Sequence, residues 1–283
     1  MAKFHIMQVM PRAAYREFNA YAEVIVSFMW GLEQLGHTVT YAINQADAEA
    51  RNIVFGGQMT PVAAQGDLRA DTIFYNLEQM RGTTSANTRK EVVAYAQRFT
   101  VWEYSPFNLP AWSTFTMRRP PILVPVGYAP VLSRIARPET QDIDVLFYGA
   151  VNEGRLAAFQ ALARRELRTA FLTHIYGRTR DEMIARSNLI ANVRGSRAAI
   201  FEVVRVSYLM ANRKAVLAPI EPETEIEADI RSGVIACDPP DFAAKAQALA
   251  ADDAARAEAE DRGLSVILKR DIRQILQQAL EAS

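Results

Sequence analysis

The sequence predicts an α/β protein made of two successive parallel-sheet halves, and three observations carry that prediction. Short apolar runs bounded by turn residues alternate with segments whose apolar residues recur at helical spacing, the pattern of parallel strands joined by crossover helices. That alternation restarts after "APVLSRIARPETQDID" (residues 129–144), a stretch rich in Pro and polar residues. The length, 283 residues, suits one large domain or two ordinary ones.

The elements follow in order. "KFHIMQVM" has the length and flanks of a buried strand, and "PRAAYREFN" follows it as a loop. "AYAEVIVSFMWGLEQLG" carries apolar residues at helical spacing with Gly36 as its stop, and "HTVTYAI" closes a strand–helix–strand unit. "RNIVFGG", "DTIFYNLE" and "RFTVWEYS" read as strands, with the helix "SANTRKEVVAYAQ" between the last two. "RRPPILVPVGYAP" adds a strand and two Pro-marked turns. In the second half "DVLFYGA" is a strand ending at Gly149, and "NEGRLAAFQALARREL" is the helix after it. "TAFLTHIYG", "NLIANVR", "AVLAPI" and "GVIACD" are further strands. "GSRAAI" is the loop after "NLIANVR", and a helix starts near Ile200. From "PPDFAAKAQ" onward the chain is helical to its end, with a break at Gly263. The expected architecture is two Rossmann-like domains, 1–130 and 131–283, facing each other across a cleft. The last helix is free to pack back on the first domain.

Composition excludes several function classes. Lys plus Arg equals Asp plus Glu at 32 each, so the formal charge is zero. Sequence-independent nucleic-acid binding, which depends on a basic surface, is not expected. The basic helix face "LARRELR" leaves peripheral contact with an anionic surface open, although such faces are more often simply solvated. Cys237 is the one cysteine, which excludes an internal disulfide and a Cys-based zinc site, and three scattered histidines argue against a His-rich metal site. "MAKFHIMQVM" lacks the apolar run of a signal peptide, and no apolar stretch reaches the ~18 residues of a membrane span. A cytoplasmic protein is expected, and the Ala- and Arg-rich, Lys-poor composition fits a bacterial or phage source.

Ligands of open parallel sheets bind beyond the carboxyl ends of the strands, and that rule ranks the polar residues. "FYNLEQ" places Asn76, Glu78 and Gln79 at such an end, and "VWEYSPFN" places Glu103, Tyr104, Ser105 and Asn108 at another. Glu78 and Glu103 on neighbouring strand ends suit a general base and its orienting partner; as plain structure, each would cap the turn that follows it. "FYGAVNEGR" sets Gly149, Asn152 and Arg155 between a strand and a helix, where a Gly turn, free N–H groups and an Arg would meet a phosphate. An ordinary turn with a surface Arg is the plain alternative. Neither GxGxxG nor GxxxxGK[ST] occurs. In "NVRGSRAAIFEVVRVSYLMANRKAVLAP", Glu202 and Arg205 share a helix face at the ligand edge. The helix dipole accounts for a Glu there but not for an Arg, which asks for an anionic partner.

These stretches carry a resemblance. In the expected order, "YAEVIVSFMWGLEQLGH", "IFYNLEQ", "VWEYSPFN", "VPVGY", "DVLFYGAVNEGR", "IYGRTRDEMI", "NLIANVR" and "FEVVRVSYLMANRKAVLA" resemble GT-B glycosyltransferases of the bacterial and phage group 1-like family. The resemblance implies an enzyme that moves a sugar from a nucleotide-sugar donor, bound mainly by the second domain, to a hydroxyl acceptor held by the first. It implies no cofactor beyond the nucleoside diphosphate sugar used as substrate, and no metal. Glu202 matches the family's ribose-holding Glu. Arg194 stands where many members carry a second Glu and a closer group His, so the family's sugar recognition does not carry over. An Arg there fits a carboxylated sugar or the diphosphate. Arg155, Arg205 and Arg194 are the candidate partners of the leaving diphosphate, and Tyr176, Gly177 and Arg178 in "IYGRT" border the nucleobase. Glu78 or Glu103 would take the acceptor proton in an inverting reaction. The acceptor is expected to be a glycan or lipid-linked intermediate, with a modified DNA base or a protein side chain as alternatives. The rival readings are a non-catalytic nucleotide- or glycan-binding module and a different Rossmann-type enzyme such as an epimerase. "DID" (Asp142 to Asp144) has metal-binding spacing but sits at the wrong edge of its sheet.

Overall fold

The computed structural model describes residues 1–12, 16–61, 68–80, 85–194 and 200–283. Of the predicted loops, "GSRAAI" apart from Ile200 and the 13–15 portion of "PRAAYREFN" lie outside the described residues. The chain divides into two compact units, one of Met1–Ala129 with Asp271–Ser283 and one of Pro130–Arg270. The last helix therefore belongs to the first unit.

The first unit is a six-stranded sheet in the order β2-β1-β3-β4-β5-β6, every neighbouring pair parallel. The strands are β1 (Lys3–Gln8), β2 (Thr38–Ile43), β3 (Arg51–Phe55), β4 (Ile73–Asn76), β5 (Thr100–Glu103) and β6 (Ile122–Leu123). β1, β3, β4 and β5 are buried almost throughout, as strands covered on both faces must be, which is why they read as continuous apolar runs. Helix α1 (Ala22–Gln34) buries Val24, Ile25, Phe28 and Leu32 at helical spacing, and Phe28 packs its ring against Phe55, Tyr75 and Trp102 from three adjacent strands. Helix α2 (Ala86–Arg98) covers the other face, with Tyr95 stacked on Phe74, and a short α3 (Leu109–Trp112) buries Trp112 beside it.

The second unit is a five-stranded parallel sheet in the order β11-β10-β9-β7-β8. Its strands are β7 (Ile143–Tyr148), β8 (Thr169–Leu172), β9 (Ser187–Ala191), β10 (Ala215–Pro219) and β11 (Ile235–Cys237). Its helices are α4 (Glu153–Ala163), α5 (Gly177–Ala185), α6 (Val203–Ala211), α7 (Ala228–Gly233), α8 (Phe242–Ala250) and α9 (Asp253–Ile267). Val145, Phe147, Leu189, Leu217 and Phe242 form the centre of its core.

Two expectations fail for identifiable reasons. The helix expected near Ile200 begins at Val203, because Ile200 and Phe201 are occupied in a short parallel bridge to Glu225. The C-terminal helical stretch does not break at Gly263, which lies inside α9; a side chain there would meet the Gly233 carbonyl at 3.1 Å and Met210 at 3.3 Å, so this glycine lets α9 approach α7 and α6. The breaks fall where Asp252 and Asp271 accept backbone N–H groups of Ala255 and Arg273 and start new helices. The second of these is α10 (Ile272–Glu281), which sets Ile272 and Leu276 against Gly31 of α1. Trp102 Nε1 donates to the Ser283 hydroxyl at 3.0 Å and ties the chain end down.

Both sheets reverse their direction of winding once. In the first, the chain leaves β1 for β2 on one side and returns to add β3 on the other; in the second, β8 lies on one side of β7 and β9 on the other. Crossovers leave such a pair in opposite directions, so a crevice opens at its carboxyl ends. Gly149, Asn152, Arg155, Glu202 and Arg205 gather at the second of these places, and Glu78 lines a hollow at the first.

Candidate functional site

In the second unit the crevice lies between the ends of β7 and β9. Gly149 follows β7 with φ +121°, a conformation that side chains resist. A Cβ on it would also stand 2.6 Å from Arg205 Nη2 and 3.0 Å from Arg155 Nη1. Asn152 then starts α4, its Oδ1 accepting the Arg155 backbone N–H at 2.9 Å, and this directs the Arg155 side chain back across the crevice. Arg155 is only 4% exposed. Its guanidinium donates to the Ala150 carbonyl (2.8 Å), the Val193 carbonyl (2.8 Å) and Glu202 Oε1 (2.5 Å). The first lies on the β7 side and the second beyond β9, so one planar fork joins both walls.

Glu202 is the residue that opens α6, yet its side chain does not cap that helix. It faces Arg155 through Oε1, while Oε2 lies 2.5 Å from Arg205 Nη1 as an ion pair without hydrogen-bond alignment. The Arg205 guanidinium lies over the Tyr148 ring, 4.8 Å from its centre. The pairing of Glu202 and Arg205 on one helix face is therefore present, and Arg155 extends it to a triplet. Burial pulls the Arg155 pKa below its ordinary value, opposed by Glu202 and reinforced by Arg205. Two buried amide atoms in the same crevice, Asn152 Nδ2 and Asn192 Oδ1, have no hydrogen-bond partner among the described residues.

The remaining residues of the expected donor set make other contacts. Arg194 pairs with Glu221 and has Glu223 at 3.9 Å, so carboxylates following β10 already meet its charge. Tyr176 and Gly177, the latter at φ +63°, form the turn from β8 into α5. Arg178 is 93% exposed and pairs with Glu182, one helical turn on, at 2.8 Å. The structure puts Arg178 in solvent rather than in a wall.

In the first unit the two carboxylates separate in role. Glu103 is wholly buried and accepts four hydrogen bonds, from Asn76 Nδ2 (2.7 Å), Trp112 Nε1 (2.7 Å), Asn108 Nδ2 (2.9 Å) and the Ser105 N–H (3.0 Å). Burial pushes its carboxyl up to about 7 against the pull of those donors. Every group it meets is an N–H donor, so the ionised form is the one its surroundings satisfy above that value. With no exposed oxygen it cannot reach a substrate, and the expectation that Glu103 acts as the base is corrected on that ground. It is a positioning residue: the Asn76 and Asn108 side chains that it fixes also donate to the Glu78 carbonyl at 2.9 and 2.8 Å.

Glu78 keeps a reachable carboxylate. Gln58 Nε2 (2.8 Å) and the Tyr21 hydroxyl (3.3 Å) both donate to its Oε1, and burial holds its pKa above the ordinary glutamate value. It lines a hollow of about 470 Å³ together with Pro11, Gln58, Thr60 and Glu91. Pro11 follows β1 and Gln58 follows β3, so the hollow lies at the crevice of the first sheet. Gln58, Tyr21 and Trp112 were missed in the sequence. The strand-end rule applied to "RNIVFGGQ" would have reached Gln58; nothing local marks Tyr21 or Trp112, whose roles arise from packing.

No protein-family model matches the sequence, and none of the curated proteins matches it. Solved structures do. HepE of Anabaena in complex with UDP-glucose aligns with a TM-score of 0.66 at 15% identity, over 100% of this chain and 99% of that one. AviGT4, a glycosyltransferase involved in avilamycin A biosynthesis, aligns with a TM-score of 0.63 at 12% identity, over 99% and 96%. A mutant of T4 phage BGT in complex with UDP-glucose aligns with a TM-score of 0.60 at 12% identity, over 100% and 99%. The fold is the GT-B glycosyltransferase fold. At these identities the likeness is one of fold.

Within this GT-B frame the other polar motifs have structural roles. Asp142 and Asp144 stand at the amino end of β7, each paired with its own arginine, Arg186 and Arg168, at 2.5 Å. His5 is a buried strand residue with both ring nitrogens engaged, by Thr40 Oγ1 and the Gln45 carbonyl. Cys237 is half-buried on edge strand β11 and packs against the core, and burial pushes its thiol up to about 11, away from the thiolate form. Among the described residues no group of three His, Cys, Asp or Glu is gathered to hold a metal ion, and no helix is long and apolar enough to cross a membrane.

Proposed function

We propose that this protein is a glycosyltransferase that needs no metal. It moves a sugar from a nucleoside diphosphate sugar, bound by the second unit, to a hydroxyl of an acceptor held by the first. The observation that carries this reading is the Arg155–Glu202–Arg205 triplet at the carboxyl-end crevice of the second sheet, beside amide atoms of Asn152 and Asn192 that have no partner among the described residues. As the anomeric C–O bond breaks, negative charge grows on the leaving diphosphate; Arg155, Arg205 and the N-terminus of α4 supply fixed positive partners. Each oxygen of Glu202 faces one arginine. A carboxylate oxygen accepts two hydrogen bonds, so ribose hydroxyls can still donate to Glu202. Glu78 takes the acceptor proton: Gln58 and Tyr21 hold its Oε1, and its raised pKa moves it toward the working range of a general base.

Support also comes from the solved structures of like fold, two of which hold UDP-glucose. The acceptor class we favour is a glycan or lipid-linked intermediate, with a DNA base or protein side chain as alternatives, met in the cytoplasm of a bacterium or an infected cell. The pairing of Arg194 with Glu221 favours one second reading, a nucleotide-binding module without turnover.

Calorimetric titration with UDP, GDP, CMP and dTDP tests the donor site. Saturable binding of one nucleotide, weakened by Arg205→Ala, supports the assignment, and binding of none refutes it. Nucleotide release from the matching donor in the presence of an acceptor panel then separates the transferase from the module.

A further inference from the structure

We propose that the second unit carries a separate site for a small anion, a carboxylate or a phosphate, built around Lys214 at the edge of the sheet opposite the donor crevice. Lys214 stands at the amino end of β10, next to Ala185, which precedes β9. Arg213, at φ +50°, turns the chain so that the lysine enters the fold. The side chain is only 4% exposed, and its ammonium group donates to the Ala185 carbonyl at 3.1 Å. A lysine ammonium has three N–H groups, so two have no protein acceptor among the described residues.

The space in front of it is shaped and charged. A hollow of about 410 Å³, within the range of small-molecule sites, is lined by Lys214 with Arg137, Arg213, Glu260 and Asp261. Arg137 pairs with Glu260 at 3.0 Å and Arg213 with Asp261 at 2.9 Å. Those pairs cancel. No carboxylate lies within ion-pair distance of Lys214 among the described residues; Glu260, already paired with Arg137, acts on it only at longer range, so the hollow's lining carries one positive charge more than negative. An unmatched buried charge is costly, and burial already holds the amine down at about 8. One small anion would offset it and fill the two spare N–H groups. The wall behind is fixed, because Asn212 accepts the N–H groups of Arg134 and Ile135 and donates to the Leu132 and Tyr208 carbonyls. This site does not rest on the transferase reading.

The test is competition for the amine. The whole protein is pulse-labelled at about pH 8 with limiting N-hydroxysuccinimidyl acetate, and labelling of Lys214 is compared by mass spectrometry with that of exposed Lys90, Lys245 and Lys269. Inorganic phosphate or acetate, at ionic strength matched by sodium chloride, should slow Lys214 severalfold and saturably while leaving the other three unchanged. Protection by phosphate alone assigns a phosphate group, and protection by acetate alone a carboxylate; either supports the site. Labelling that neither anion slows, or that chloride slows equally, overturns it. Lys214→Met, folded by circular dichroism, should also lose the anion-dependent rise in melting temperature; a rise that persists in this variant counts equally against the site.

Discussion

Replacing Glu103 by glutamine tests the division of labour between the two first-unit carboxylates. At about pH 8 the Glu103 carboxyl is ionised and accepts from four buried N–H groups. In Glu103→Gln one oxygen remains for two of them, and the new NH₂ points at either Asn108 and Ser105 or Asn76 and Trp112. Two buried donors then lose their acceptor. At about 1–3 kcal/mol each, the loss comes to roughly 2–6 kcal/mol. Trp30, Trp102 and Trp112 are the three tryptophans and all lie in the first unit, so their fluorescence during urea unfolding reports that unit alone. With a slope of about 2 kcal/mol/M, the midpoint should fall by about 1–3 M. Glu78→Gln should behave oppositely, because a side-chain oxygen remains for Gln58 and Tyr21: the midpoint stays and turnover is lost. If Glu103→Gln unfolds at the wild-type midpoint and abolishes turnover, Glu103 meets substrate and the positioning role is refuted.

Gly149→Ala should cost about 1–3 kcal/mol in the second unit and weaken nucleotide binding, since it combines strained backbone with a Cβ 2.6 Å from Arg205 Nη2; circular dichroism and calorimetry read the two effects. Glu202→Ala should weaken nucleotide binding by roughly 1–3 kcal/mol, and it should also lower the unfolding midpoint, because buried Arg155 loses its anionic partner. Arg178→Ala should change neither nucleotide affinity nor melting temperature, and a clear loss of affinity would return Arg178 to the donor site. Lys214 gives a pH signature. Its folded-state pKa, about 8, lies below the ordinary 10.5, so between those values the unfolded chain binds more protons and stability rises with pH, by about 3 kcal/mol in the limit. Urea unfolding followed by circular dichroism should show this rise in the wild type and a flatter profile in Lys214→Met.

The sequence alone determined the two sheets, because buried parallel strands are apolar on both faces and their helices carry a 3.6-residue repeat, patterns that survive without knowledge of partners. It also determined the local geometry that places Gly149, Asn152 and Arg155, since a strand-to-helix turn is set by neighbours in the chain. What tertiary structure decided is which charges meet. Glu202 and Arg205 are three residues apart and their pairing was legible; the closure of the triplet by Arg155, across 47 positions of sequence, was not. Glu78 and Glu103 look alike at their strand ends, yet Trp112 and Asn108 fold over one and leave the other at a hollow. Arg194 sits at a ligand edge by sequence rule, but Glu221 reaches it first. Burial and ion pairing depend on contacts between elements distant in the chain, and periodicity carries no record of them.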